Sequence, residues 1–240
     1  MSTPAASLPR WLAAWGVHLL TASGAPAGML SILAAERGDP ATALWWMAYT
    51  VAVDAVDGTL ARAVGVKQVL PYFDGTRLDD LVDYFTWVIV PVLFMLWTDM
   101  LPPAIAVPLA CAVVVASAYQ FCRTDAKTAD HYFTGFPSYW NIVAFYLYAL
   151  GWPTAANAAV VTTFALLIFV PIRYVYPSRT TTLRALTVGL GLAWGAAVLL
   201  ALFQILSDGI ASRPLVLGSL LFPVYYGALS LVLTRQRVSR

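Results

Sequence analysis

The chain is predicted to be an all-α integral membrane protein of about eight transmembrane helices, with both termini in the cytoplasm. Three observations predict it: 60% of its 240 residues are hydrophobic, only 11% are charged, and the charges gather at the ends of long apolar runs. A soluble domain carries about 25% charged residues, and a chain this poor in charge, with a mean hydropathy of +0.75, cannot cover its own surface in water. No Asp, Glu, Lys or Arg lies between Asp130 and Arg173, or between Arg184 and Asp208. A bilayer core requires helices of about 20 apolar residues, because backbone groups left unpaired in hydrocarbon have nothing to bond to. The charge-free stretches therefore read as spans.

Eight apolar segments follow one another, near 11–35, 41–64, 78–98, 101–122, 138–152, 155–176, 182–207 and 213–234. The first opens on Arg10, Trp11 and Trp15, with the two rings one helical turn apart as interfacial anchors stand. Its Gly24, Pro26 and Gly28 kink the helix or let a neighbour pack closely. It contains His18 and runs on to Ala35 without a small-residue cleavage site, so it does not read as a cleaved signal. The second and third segments carry the acids discussed below. The fourth holds both cysteines, and eleven residues separate Cys111 from Cys122 by roughly 16 Å of helix, too far for a disulfide. A mixed-charge connection with Arg123, Asp125, Lys127 and Asp130 reads as a solvated loop. It leads to a short fifth segment between Pro137 and Pro153. No internal repeat, soluble domain or disordered tail interrupts the rest, so residues 1–240 form one membrane domain with its motif at 54–83. His18 and His131 need no catalytic role in this reading.

An even number of spans leaves both termini on one side. That side then holds Arg10, Arg62, Lys67, Arg77, Arg123, Lys127, Arg173, Arg179, Arg184, Arg235, Arg237 and Arg240. Only Arg37 and Arg213 remain for the other, and twelve basic residues against two put the termini and the 62–78 connection in the cytoplasm. The net charge of +2 says little by itself, and no nucleic-acid partner is expected.

The informative stretch is VDAVDGTLARAVGVKQVLPYFDGTRLDDLVDYF. Asp54 and Asp57 stand three apart in an apolar run and share one helix face, with Gly58 and Ala61 on or near it and Arg62 at the cytoplasmic end. Beyond the connection, Gly75, Asp79 and Asp83 recur at i, i+4 and i+8 on another helix. Asp80 points about 100° away from Asp79 and reads as a cap or an arginine partner, and Asp74 as a solvated cap. Each carboxylate costs roughly 2.5 kcal/mol or more in the bilayer, and four together repel one another. Cations are needed to neutralise such a cluster, and an all-Asp set suits Mg²⁺ or Mn²⁺ rather than zinc. Two such ions about 4 Å apart clamp a diphosphate, a carboxylate left partly free accepts a hydroxyl proton, and Arg62 adds positive charge.

The pattern Asp54-x-x-Asp57-Gly58-x-x-Ala61-Arg62, then Gly75-x-x-x-Asp79-x-x-x-Asp83, resembles the signature of the CDP-alcohol phosphotransferase family, matching it at eight fixed residues. The resemblance implies that Asp54, Asp57 and Asp79 bind metals, with Asp83 a shared ligand and the general base. It implies that Asp54, Gly58, Ala61, Arg62 and Gly75 serve the CDP-diacylglycerol site, and that the protein is a homodimer. The twelve residues between Arg62 and Gly75 are more than most members have, and eight spans exceed the usual number. Both departures, and the stretch from Phe121 to Asn141, resemble the bacterial phosphatidylcholine synthase branch, which condenses CDP-diacylglycerol with choline and releases CMP.

A quaternary ammonium donates no hydrogen bond, so its expected host is an aromatic cage. Many rings lie near the cytoplasmic side, among them Tyr72, Phe73, Tyr84, Trp87, Tyr119, Tyr132, Phe133, Phe136, Tyr139 and Trp140. The expected choline site is Tyr84, Tyr119, Tyr139 and Trp140, with Asn141 as a polar partner. The expected setting is the bacterial inner membrane, with the site facing the cytoplasm and acyl chains lying in lipid. Two alternatives stay open: another acceptor (serine, glycerol phosphate or inositol phosphate), or a transporter whose carboxylates carry cations.

Overall fold

The computed structural model describes residues 7–126, 128, 132–175 and 182–238. Lys127, Asp130, His131, Arg179 and Arg240, named above, lie outside them. Helix α1 (Leu8–Glu36) begins with proline in its first turn, where a missing N–H costs no helical bond. Helix α2 (Pro40–Val64) also starts on proline and is capped by Asp39, whose carboxylate accepts the Thr42 N–H at 3.0 Å. It ends at Gly65, which takes the left-handed conformation (φ 72°) and returns its N–H to the carbonyls of Ala61 and Arg62. A short α3 (Val66–Val69) leads to α4 (Gly75–Asp83), a π-helical turn (Tyr84–Ile89) and α5 (Val90–Trp97), which together make one rod. There follow α6 (Ala106–Cys122), β1 (Tyr132–Thr134), α7 (Trp140–Leu150) and α8 (Thr154–Leu167). The chain closes with β2 (Arg173–Val175), α9 (Arg184–Asp208), α10 (Arg213–Ser219) and α11 (Leu221–Val238).

Each of the eight apolar segments contains a helix, but among the described residues four helices are long and apolar enough to cross a membrane: Leu8–Glu36, Gly75–Trp97, Arg184–Asp208 and Arg213–Gln236. Helix α2 has the length, with 25 residues, and carries the acids. Helices α6, α7 and α8 have 17, 11 and 14 residues, and at ~1.5 Å per residue all three fall short of a bilayer core of about 30 Å, α7 and α8 by the most. The segment read as 155–176 stops being helical at Leu167. Pro171 supplies no N–H, the carbonyls of Leu167 and Ile172 accept from Phe136 and Gly135, and β2 pairs antiparallel with β1 in the register Phe133↔Tyr174. The connection after α6, read as a loop, thus includes one strand of a two-stranded sheet.

Helix α1 is the spine. It packs along α2 and also carries α4, the π turn and α5. The close approach depends on two glycines: a Cβ on Gly24 would lie 2.7 Å from Val82 Cγ1, and one on Gly28 would lie 2.7 Å from Phe85 Cε1. The main core gathers Phe94, Met95, Val88 and Val90 of the rod around the fully buried Trp140 of α7. Helices α9 and α11 turn large apolar side chains outward, Leu192 at 72% and Leu221 at 74% exposed, a surface suited to lipid.

Candidate active site

Helices α2 and α4 both lean on α1, and that shared support brings their acids together. Asp54, Asp57 and Asp79 each offer a carboxylate oxygen within 4.8 Å of the other two. Asp57 is buried, and its Oδ2 accepts a 2.8 Å hydrogen bond from Thr21 Oγ1 of α1. Asp54 and Asp79 are half-buried. Three carboxylates this close in an apolar bundle raise one another's energy unless a cation sits among them. The donors are oxygen only, with no His or Cys of the described residues in the group, which fits a hard divalent ion such as Mg²⁺ or Mn²⁺. Asp83 follows Asp79 by one turn and is half-buried.

Two cavities meet at this cluster, and Thr76 and Asp79 line both. The first, about 610 Å³, is bounded by Asp57, Gly58, Ala61, Arg62 and Gly75 of the motif, and by His18, Thr21, Lys67, Phe73 and Tyr132. The small residues have identifiable neighbours. Arg62 folds back, donating from Nη2 to Thr59 Oγ1 at 3.0 Å, and a Cβ on Gly58 would stand 3.3 Å from Arg62 Nη1. A Cβ on Gly75 would run into the His18 imidazole, which packs 4.4 Å from the Phe73 ring centre. Asp74 caps α4, accepting the Thr76 and Arg77 N–H groups at 3.1 Å each.

The second cavity, about 390 Å³, is lined by Asp54, Asp80 and Asp83, by Trp87, Phe121, Phe133 and Tyr139, and by Gln120 and Arg123. The π turn sets its wall. In an α-helix four residues overshoot a full turn by roughly 40°, so a side chain two such steps beyond Asp79 would drift off its face. The i→i+5 bonding of a π turn winds less per residue, and Asp79, Asp83 and Trp87 all reach this one cavity. Arg123 presents Nε and Nη2 to Asp125 at 2.8 and 2.7 Å, and these hydrogen bonds hold the Asp125 carboxyl below the usual carboxylate range.

Of the residues expected at the choline site, Tyr139 lines the second cavity. Tyr84 donates its hydroxyl to the Val114 carbonyl at 3.0 Å and meets Phe121 edge-on. Tyr119 is half exposed and stacks on Phe169 at 5.2 Å. Trp140 is fully buried, its Nε1 donating to Ser117 Oγ at 2.8 Å, and Asn141 is buried beside it in α7. Asp80 is exposed at the rim of the second cavity. The sequence reading assigned no role to His18 or Thr21, which line the first cavity. The available signal was their spacing, two polar side chains three apart in a run without charge.

No family model matches the chain. It is 50% identical over 177 residues to the phosphatidylcholine synthase of Legionella pneumophila, covering 73% of this chain and 69% of that protein. The chain belongs to the phosphatidylcholine synthase family. The phosphatidylcholine synthase of Pseudomonas aeruginosa is 37% identical over 181 residues, 75% of this chain and 76% of the relative. That of Rhizobium meliloti is 35% identical over 189 residues, 79% and 78%. Membership agrees with the CDP-alcohol phosphotransferase motif, whose eight residues all lie at or beside the two cavities.

Proposed function

We propose that the protein transfers the phosphatidyl group of CDP-diacylglycerol to choline, forming phosphatidylcholine and releasing CMP. The observation that carries this reading is the aspartate triad, its oxygens within 4.8 Å, at the junction of two cavities of unlike chemistry. The first cavity suits the nucleotide end of the donor: Arg62 and Lys67 offer positive charge, Gly58 and Gly75 leave room, and Phe73 offers a ring face. The second suits the acceptor, because Asp83 faces it.

Asp54, Asp57, Asp79 and Asp83 would hold two divalent cations, Mn²⁺ or Mg²⁺, which when bound supply positive charge to the diphosphate and the leaving CMP. Asp83 takes the proton of the choline hydroxyl. The choline oxygen then forms a bond to the phosphorus bearing diacylglycerol, and the bond from that phosphorus to the bridging oxygen breaks, so CMP leaves with the electron pair. Arg62 orients the departing phosphate. The diacyl chains lie in surrounding lipid, beside the exposed apolar faces.

In this reading the whole chain is one catalytic domain in the bacterial inner membrane. Its eight apolar segments, read as spans, keep both termini, and the mouths of both cavities, on the cytoplasmic side. The twelve-to-two division of basic residues supports that orientation. The homodimer that the family resemblance implies would cover part of the outer apolar surface.

Purified protein in lipid nanodiscs, given CDP-diacylglycerol with choline, serine, glycerol phosphate or inositol phosphate in turn, tests the assignment. Phosphatidylcholine and CMP are expected with choline alone, abolished by a chelator and restored by Mn²⁺ or Mg²⁺. Another product in place of phosphatidylcholine would end the choline reading, and full activity in chelator would end the cation reading.

A further inference from the structure

We propose that the second cavity holds the trimethylammonium of choline against the rings of Trp87, Phe133 and Tyr139, which turns the hydroxyl toward Asp83. The inference rests on the choline reading above and adds the residues that select the acceptor.

The three rings come from three different elements and converge only in the folded chain. Trp87 lies on the π turn, Phe133 on β1 and Tyr139 at the start of α7. The Tyr139 ring centre is 5.5 Å from that of Trp87 and 6.5 Å from that of Phe133, with the planes inclined at 51° and 81°. All three residues line the second cavity, and a cation is attracted within about 6 Å of a ring centre. The ring set is held from behind. Tyr139 packs on Tyr226, with ring centres 6.3 Å apart, and the Tyr226 hydroxyl donates to the Val175 carbonyl at 2.9 Å.

Gln120 ties two walls of the cavity together: it is 4% exposed, and its Nε2 donates to the Thr134 carbonyl at 2.9 Å, which links α6 to β1, the strand that carries Phe133. Among the described residues Arg123 is the only basic group of this cavity and is already forked onto Asp125, so an anionic acceptor would find no free guanidinium among them.

The test uses the full-length enzyme in nanodiscs, with KM for each substrate measured separately. Trp87→Leu and Tyr139→Leu are expected to raise KM for choline about 10- to 30-fold, the loss of one desolvated ring contact. KM for CDP-diacylglycerol should stay within about threefold. Trp87→Phe and Tyr139→Phe, which keep a ring, should largely restore choline affinity. Tetramethylammonium should inhibit the unaltered enzyme competitively with choline and not with CDP-diacylglycerol, a readout that needs no variant to fold. Leucine variants with unchanged choline KM, equal rises for both substrates, or tetramethylammonium that fails to compete would each overturn the inference while leaving phosphatidylcholine synthesis intact. Unaltered enzyme that makes no phosphatidylcholine overturns the choline reading, and this inference with it.

Discussion

Asp79 and Asp83 differ by one helical turn and by their company. Asp79 lies in the triad with Asp54 and Asp57 and lines both cavities, whereas Asp83 stands outside the triad and lines the second cavity alone, where the proposed reading puts the acceptor. Asp83→Asn keeps the size of the side chain and removes its capacity to take a proton. Turnover, followed as CMP release, is expected to fall about 10²- to 10⁴-fold, with CDP-diacylglycerol binding retained. A variant that turns over at the original rate would remove Asp83 from the role of base. The identity of these acids was readable in the chain, because four aspartates in apolar helices are too costly to be incidental. Their division of labour was available only as what the family resemblance implies, and the cavity that each one lines is known only from the fold. The rings illustrate the same limit. Trp140 and Tyr139 are adjacent and chemically similar, yet one is sealed in the core and the other lines the second cavity.

At the scale of elements, position comes from close packing on α1. The rod of α4, the π turn and α5 can approach α1 only because Gly24 and Gly28 lack side chains. In Gly28→Ala the new Cβ would meet Phe85 Cε1 at 2.7 Å and Val90 Cγ2 at 3.0 Å. Overpacking of this kind costs about 1–3 kcal/mol, so the detergent-solubilised variant should unfold at a lower temperature. Phe85→Leu in the same chain should recover part of the loss. An unchanged melting temperature in the single variant would mean the interface yields freely. Helix spacing in the sequence exposed the acidic faces of α2 and α4. The π turn was hidden, because i→i+5 bonding arises from what the rod packs against and leaves no period in the residues. Trp87 was named among the rings near the cytoplasmic side but not chosen for the choline site, and the fold places it on the second cavity with Asp79 and Asp83.

Across the whole molecule, apolar surface and charge position define the setting. The basic residues predict that the connection around Lys67 and Gln68 faces the cytoplasm while Arg213 faces the other side. With Cys111 and Cys122 replaced by serine, single cysteines at Gln68 and Ser212 should answer oppositely to an impermeant maleimide. In intact cells stripped of the outer membrane, Ser212→Cys is expected to label and Gln68→Cys only after lysis. The reverse pattern would invert the orientation and put the donor cavity on the wrong face. The sequence by itself determined the membrane class, the order of the apolar segments and the aspartates that share a helix face, because hydropathy and helical spacing are local properties of the chain. Only the tertiary structure decided that helices as short as α7 and α8 pack into the bundle, that His18 sits against Gly75, and that rings from three elements close around one cavity beside Asp83. Those outcomes depend on contacts between residues far apart in the chain, which no local pattern encodes.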